Sequence, residues 1–182
     1  PALLREGTGL VVSPLIALMQ DQVTALRELG IEAEFLNSSQ SPEERREVMS
    51  KLRQGRLQLL YVAPERLVTE HTRSMLRDIP LSIIAIDEAH CVSQWGHDFR
   101  PDYLRIGELR RALNVPLAAF TATADEETRG EIVARLFDGQ TPETFLRGFD
   151  RPNIHLALVP ENGAQSIVAG RNGAALPNGN GS

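Results

Sequence analysis

The sequence predicts an α/β fold in which a mostly parallel sheet is flanked by helices, and two patterns support this prediction. Short apolar runs alternate with longer stretches whose apolar residues recur at helical spacing, which is the order of βαβ units. The run from Leu81 to Ile86 is apolar almost without interruption, as expected of a parallel strand covered on both faces. Function in such sheets gathers at the carboxyl ends of the strands.

The first part of the chain predicts three strands and two helices. A serine cap at Ser13 and a proline at Pro14 predict the start of the first helix, and Gly30 predicts its end. A capping box that opens at Ser41 starts the second helix, which runs to about Gln54. The predicted strands are Leu10 to Val12, Ile31 to Leu36 and Leu57 to Val62.

The rest of the chain continues this alternation. The predicted elements are a short helix at Thr72 to Arg77, a strand at Leu81 to Ile86, a helix at Leu104 to Leu113, a strand at Leu117 to Phe120 and a last strand at Ile154 to Val159. Thr123 opens a second capping box before a helix that carries Ile132 and Leu136. The segment from Pro160 to Ser182 is rich in glycine and asparagine, which predicts a disordered tail.

The composition is that of a globular chain, with 182 residues, 42% hydrophobic and 24% charged. A formal net charge of -5 excludes a global positive field, so binding to nucleic acid or to an anionic membrane would have to be local. The single cysteine excludes an internal disulfide and predicts a cytoplasmic location. No apolar run approaches the roughly 20 residues of a membrane span, so no membrane partner is expected.

Lysine is nearly absent from the chain. Of 19 basic residues only Lys51 is a lysine, and it lies in a polar helical stretch. A Walker A loop needs a glycine run that ends in Gly-Lys-Ser/Thr, so that backbone N–H groups and the lysine surround the phosphates. The sequence contains no such loop, and because it also starts without methionine we expect a fragment.

Two adjacent carboxylates, Asp87 and Glu88, end the most apolar strand. A carboxylate there is suited to Mg²⁺ beside a nucleotide phosphate, and its neighbour to deprotonating an attacking water. The alternative is an ordinary solvated loop.

Three of the nine aromatic residues, Trp95, Phe99 and Tyr103, recur at every fourth position of the next segment. A helix face packed in the core is one interpretation, although a glycine and a proline in the segment argue against it. The other is a loop that stacks on nucleic-acid bases, with His97 and Arg100 near the phosphates.

A zinc site is a third and weaker alternative for this part of the chain. Asp87, His90, Cys91 and His97 are all zinc-ligand types within eleven residues. Adjacent side chains at 90 and 91 would point to opposite sides of an extended chain, which disfavours the site.

The segment Asp-Glu-Ala-His at 87–90, followed by Cys-Val-Ser-Gln-Trp-Gly-His-Asp-Phe-Arg-Pro-Asp-Tyr, resembles motif II and the aromatic loop of RecQ-family DNA helicases of superfamily two. Residues 11–23 are similar to motif Ia of that family, 61–67 to motif Ib and 120–124 to motif III. Residues 149–154 resemble the link to its second motor domain. The resemblance covers about 1–159.

The resemblance implies an ATP-driven motor that unwinds DNA with 3′-to-5′ polarity in repair and recombination. Its cofactors would be ATP and Mg²⁺, and its partners single-stranded and duplex DNA and a second RecA-like domain. It implies a RecA-like sheet of the P-loop NTPase type, incomplete at the N-terminus. Residues 1–148 would be a partial first motor domain without Walker A, 149–159 the start of the link, and 160–182 the tail.

The resemblance also implies roles for single residues. Asp87 would hold Mg²⁺ through water, Glu88 would be the general base, and His90 would link the nucleotide and DNA sites. Thr121 and Thr123 would connect hydrolysis to domain movement; from the residues alone, Thr123 is an ordinary helix cap. The loop that senses single-stranded DNA would comprise Gln94, Trp95, His97, Phe99 and Arg100.

Four further residues would contact the DNA backbone, where such motors use hydroxyls, N–H groups and arginine on phosphates. They are Ser13, Pro64, Glu65 and Arg66. A surface ion pair is the alternative role for Arg66.

The chain departs from the family pattern at both ends. The phosphate loop would precede Pro1, and the second motor domain, with its arginine finger, is replaced by the glycine- and asparagine-rich tail. We therefore expect negligible hydrolysis by this chain alone. The alternative to a helicase fragment is a noncatalytic DNA- or partner-binding remnant.

Overall fold

A computed structural model describes residues 2–94, 98–146, 154–161 and 164–171. The chain forms two compact units, Pro1–Pro142 and Glu143–Ser182. Trp95 and His97, two residues of the predicted DNA-sensing loop, lie outside the described residues.

The first unit alternates strands and helices. Its elements are β1 (Thr8–Val12), α1 (Ile16–Glu28), β2 (Ala33–Leu36), α2 (Pro42–Arg53), β3 (Leu59–Val62), α3 (Pro64–Leu67), α4 (Glu70–Arg77), β4 (Leu81–Ile86), α5 (Pro101–Leu113), β5 (Leu117–Ala119) and α6 (Glu126–Leu136). Two short 3₁₀ helices, Ala2–Leu4 and Ala89–Val92, precede β1 and follow β4. The α/β prediction is confirmed.

The five strands form one sheet in the order β2-β3-β1-β4-β5, and all four pairings are parallel. At the carboxyl end of the central strand, Val12 is paired with Val62 of β3 on one side and with Ile86 of β4 on the other. All three side chains are fully buried. The three strands therefore end at one level, and the residues that follow them emerge side by side.

Local sequence signals set several boundaries as predicted. Ser41 and Glu44 form the predicted capping box of α2. Gly30 ends the first helix with a φ of +77°, a left-handed conformation that glycine adopts without strain. Strand β4 has the predicted bounds.

Two predicted helix caps are wrong. Helix α1 starts at Ile16 rather than at Pro14, and Ser13 is not its cap: the Ser13 hydroxyl donates to Asp87 at 3.1 Å and accepts only a long hydrogen bond, of 3.5 Å, from the Leu15 N–H. Helix α6 is capped by Asp125, not Thr123, and its carboxylate accepts the Thr128 N–H at 2.8 Å.

The second unit contains two antiparallel strands, β6 (Ile154–Glu161) and β7 (Ala164–Arg171). The sequence predicts the first of these strands but not the second. Residues 162–163 and 172–182 of the predicted tail lie outside the described residues. The domain limits at 148 and 159 stay predictions.

Among the described residues, no helix is long and apolar enough to cross a membrane.

Candidate functional site

The candidate site lies at the carboxyl edge of the sheet, where the residues after β1, β4 and β5 are joined by main-chain hydrogen bonds. The Asp87 N–H donates to the Val12 carbonyl at 2.8 Å, and the Phe120 N–H donates to the Ile86 carbonyl at 2.8 Å. On the other side of the central strand, the Ser13 N–H donates to the Val62 carbonyl at 3.3 Å. Parallel strand ends thus bring four sequence-distant motifs onto one edge.

Asp87 accepts three hydrogen bonds in addition to the one that its N–H donates to Val12. Its Oδ2 accepts the Ser13 hydroxyl at 3.1 Å, and its Oδ1 accepts the Glu88 N–H at 3.0 Å. Its main-chain carbonyl accepts the Tyr103 hydroxyl at 3.0 Å. The carboxylate is therefore fixed in direction while further lone pairs stay available to a ligand.

Tyr103 supports the site from within the core. Its side chain is 0% exposed, and burial, the main cause, raises the pKa of its phenol well above the ordinary value. The core interpretation of the aromatic spacing therefore holds for Tyr103, whose helix α5 starts at Pro101, three residues before the predicted start.

Glu88 has a left-handed backbone, with φ 48° and ψ 46°, which is uncommon for a residue with a side chain. Such conformations persist where the surrounding structure imposes them, and they cluster at functional sites. Here the turn follows the buried end of β4 directly and aims the chain into the 3₁₀ helix Ala89–Val92.

His90 connects three parts of the site. Its Nδ1 lies 3.2 Å from Oε2 of Glu88 and 3.0 Å from the Thr121 hydroxyl. Its Nε2 lies 3.7 Å from Oδ2 of Asp98, which belongs to the aromatic loop. The Thr121 hydroxyl also donates to the Thr123 carbonyl at 3.1 Å, so Thr123 takes part through its main chain.

The described ends of the aromatic loop are attached to the first unit. The Gln94 N–H donates to Oε2 of Glu131 at 3.0 Å, and the Arg100 N–H donates to the Cys91 carbonyl at 3.0 Å. Gln94 and Arg100 are exposed, and Phe99 is half-buried. The exposed residues are available to a ligand at this edge.

The residues predicted to contact DNA on helix α3 lie at the same edge but are not bonded to Asp87. Pro64 is buried, Glu65 is exposed and Arg66 is half-buried. Within the described residues Arg66 has no ion-pair partner, and its Nε is buried without a hydrogen-bond partner. The ion-pair alternative for Arg66 therefore has no support in the described structure.

The single lysine lies elsewhere and is already paired. The Lys51 ammonium donates to Glu34 at 2.8 Å and lies 3.0 Å from a carboxylate oxygen of Glu47. Hydrogen bonding to Glu34 is the main reason why the pKa of Lys51 is raised. This lysine is part of an ion-pair cluster on α2 and does not reach the carboxyl edge.

The oxygen atoms at the edge fit magnesium better than zinc. Mg²⁺ binds through one or two carboxylates plus water and phosphate oxygens, which is the donor chemistry of Asp87 and Glu88. The Cys91 side chain is buried, and burial, the main cause, raises the pKa of its thiol, which disfavours the thiolate that zinc requires. Among the described residues no three potential ligands cluster around a metal position.

Three residues support the site through contacts that the sequence does not predict. Tyr103, Asp98 and Glu131 act through contacts that span 16, 8 and 37 positions, respectively. Only Tyr103 was marked by a pattern, the fourfold spacing of aromatics.

Similarity to known proteins agrees with this geometry. Residues 2–131 match the DEAD/DEAH box helicase family. The chain is 50% identical over 160 residues to the ATP-dependent DNA helicase RecQ of Pasteurella multocida, covering 87% of this chain and 25% of that protein. It is 46% identical over 161 residues to RecQ of Bacillus subtilis, covering 87% and 27%. The chain thus spans about a quarter of the length of these relatives.

Two solved structures share the fold. The helicase domain of Pyrococcus furiosus Hef has a TM-score of 0.54 at 22% identity, over 75% of this chain and 28% of that chain. Mycobacterium smegmatis Lhr bound to single-stranded DNA and AMP-PNP has a TM-score of 0.51 at 21% identity, over 76% and 20%. The predicted RecA-like fold is confirmed. Because the family match spans most of the sequence, the chain belongs to the DEAD/DEAH box helicase family, and its RecQ relatives show the subfamily it resembles.

Proposed function

We propose that this chain is part of the first motor domain of a RecQ-like, ATP-dependent DNA helicase that unwinds DNA with 3′-to-5′ polarity. One observation carries the proposal: the hydrogen bond between Ser13 and Asp87. It joins a hydroxyl expected to face the DNA backbone to the carboxylate expected to face the nucleotide. A motor protein needs such a connection between the site that binds the nucleotide and the surface that binds DNA.

At the nucleotide side, Asp87 would hold Mg²⁺ through water, and Glu88 would accept a proton from the attacking water. Bound Mg²⁺ and ATP would supply the phosphoryl group and neutralise its charge. The chain's contribution is orientation: hydrogen bonds from Ser13 and from the Glu88 N–H fix the Asp87 carboxylate, and the left-handed turn fixes the Glu88 main chain.

Between the two sides, His90 would transmit the state of the nucleotide. It lies within 3.2 Å of both the Glu88 carboxylate and the Thr121 hydroxyl, and 3.7 Å from Asp98 of the aromatic loop. This arrangement supports the proposed coupling by Thr121 and Thr123. The proposed DNA-sensing residues are Gln94, Trp95, His97, Phe99 and Arg100.

At the DNA side, the turn of helix α3 would bind phosphates, whereas Ser13 is 1% exposed with its hydroxyl bound to Asp87, so its part would be to join this side to the carboxylate. Among the described residues the Arg66 guanidinium has no ion-pair partner, although its Nε is buried, so a phosphate would bind its terminal nitrogens, and Pro64 and Glu65 shape the turn. The partners proposed are single-stranded DNA, duplex DNA and a second RecA-like domain. A cytoplasmic location stays a prediction.

A noncatalytic DNA- or partner-binding remnant is the second candidate. It is favoured by the position of Lys51, because the only lysine of the chain is bound by Glu34 and Glu47 and cannot serve a phosphate. Hydrolysis and DNA binding therefore need separate tests.

We expect this chain alone to release no phosphate from ATP above the background of buffer. Without a backbone cradle and a lysine, nothing in the chain positions the triphosphate, and positioning supplies most of the catalysis in phosphoryl transfer. Phosphate release would be measured with Mg²⁺, ATP and oligo-dT, with Glu88→Gln as the control. Turnover that disappears in Glu88→Gln would contradict the prediction.

Replacing Arg66 by glutamine should weaken binding to oligo-dT several-fold. Loss of one phosphate contact on a single strand should also lower the slope of log K against log salt by about 0.7. Fluorescence anisotropy of labelled oligo-dT over a salt series measures both. Arg56→Gln is the matched control, since Arg56 is exposed and precedes β3, at the opposite edge of the sheet. Equal losses in the two variants would argue against a phosphate site on α3.

A further inference from the structure

The carboxylate of Glu131, on helix α6, bridges the aromatic loop and its own helix. Its Oε2 accepts the Gln94 N–H at 3.0 Å. Its Oε1 lies 3.2 Å from Nη2 and 3.4 Å from Nε of Arg135, one turn further along α6. The two oxygens thus have different partners. Oε1 is bound to Arg135 of the same helix, and Oε2 is bound to the main chain of the loop at Gln94.

The environment of Glu131 keeps this carboxylate charged and in place. Its side chain is only 17% exposed. The neighbouring Ser93 hydroxyl, although it makes no well-formed hydrogen bond, is the main cause that lowers the pKa of Glu131, and the ion pair with Arg135 adds to the effect. An ionised acceptor makes a stronger hydrogen bond to a main-chain N–H than a neutral one does.

The loop is anchored differently at its other end. There the Arg100 N–H donates to the Cys91 carbonyl, and helix α5 begins one residue later. That anchor lies entirely in the main chain, whereas the anchor at Gln94 depends on one side chain from another element. A substitution at Glu131 can therefore release one end of the loop and leave the other attached.

We propose that Glu131 is a positioning residue, which fixes the main chain at Gln94, the start of the segment proposed to sense single-stranded DNA. The anchor itself stands on geometry, while its consequence for DNA rests on the proposed function of the loop.

Helix α6, which carries this anchor, also begins close in sequence to the residues at the nucleotide side of the site. The helix starts at Glu126, shortly after Thr121, whose hydroxyl contacts His90 beside the catalytic carboxylates. Helix α6 is therefore connected at its start to the nucleotide side and in its middle to the loop.

Hydrogen exchange at the Gln94 amide tests the anchor directly. In Glu131→Ala we expect this amide to exchange about tenfold faster than in the unmodified chain, because a hydrogen bond to a charged group is lost. Glu131→Gln should fall between the two, since its amide oxygen still accepts. Glu127→Ala is the matched control, as an exposed carboxylate of the same helix.

Amides of β3 and β4 report global opening in the same experiment. Unchanged exchange at Gln94, or equal acceleration across the sheet in both Glu131 variants, would overturn the proposal.

Binding of oligo-dT, followed by the emission of the single tryptophan, Trp95, tests the consequence for DNA. We expect Glu131→Ala to bind several-fold more weakly than Glu127→Ala, with partial rescue in Glu131→Gln. Faster exchange at Gln94 together with unchanged binding would overturn the positioning role. If the unmodified chain does not bind oligo-dT, the proposed DNA function fails, and the exchange experiment still decides whether the anchor exists.

Discussion

Replacing Gly107 by alanine is expected to destabilise the first unit by about 3 kcal/mol, although alanine favours a helix. Gly107 is buried in the middle of α5, where α6 passes close by. A Cβ at this position would lie 2.3 Å from the main-chain carbonyl oxygen of Arg135. Because that atom is main chain, the contact can be relieved only by moving α6 away from α5.

The matched control is Gly130→Ala, in the middle of α6. Apart from the chain neighbours and the backbone of α6 itself, no atom of the described residues lies within 4 Å of a Cβ built there, so the substitution should stabilise the protein by about 0.5–1 kcal/mol through helix propensity. Urea unfolding of the two variants gives the comparison. Equal or greater stability of Gly107→Ala relative to Gly130→Ala would show that the helices do not approach as described.

Truncation of Tyr103 to alanine should cost about 3–5 kcal/mol of unfolding free energy, the range for deleting a large aromatic side chain from a core. Tyr103 is fully buried and packs with Ile106 and Leu109 in the main core cluster. Tyr103→Phe keeps the ring and removes only the hydroxyl that binds the Asp87 carbonyl, so its cost should be about 1 kcal/mol.

The difference between the two Tyr103 variants separates packing from hydrogen bonding. Unfolding in urea, followed by circular dichroism, measures both free energies. If Tyr103→Phe were as unstable as Tyr103→Ala, the hydroxyl rather than the ring would hold this part of the core, contrary to the burial seen here.

Much of the fold follows from local signals in the sequence. The apolar run of β4 and the capping box at Ser41 predict their elements correctly, because burial on both faces and a satisfied helix start are local requirements. The predicted start of α1 is wrong because the Ser13 side chain is oriented by a distant partner. Its hydroxyl donates to Asp87, 74 positions away, which no local rule for helix caps takes into account.

The candidate site was predictable only in part. The acidic pair stands out because carboxylates directly follow a buried strand, a placement that needs a physical reason. The residues that support this acidic pair are not apparent from the sequence. The spacing of the aromatics marks Tyr103 without indicating its contact with Asp87, and Glu131 has no signal at all. The importance of both residues arises from the way α5 and α6 pack beside the strand ends.

The pairing of β1 between β3 and β4 has a consequence for biosynthesis. This strand leaves the ribosome before either neighbour, since β3 begins at Leu59 and β4 at Leu81. At translation rates of roughly 5–20 residues per second, several seconds pass between the synthesis of β1 and the synthesis of both strands with which it pairs. During that interval the nascent chain exposes Leu10 and Val12, which are fully buried once the sheet has formed.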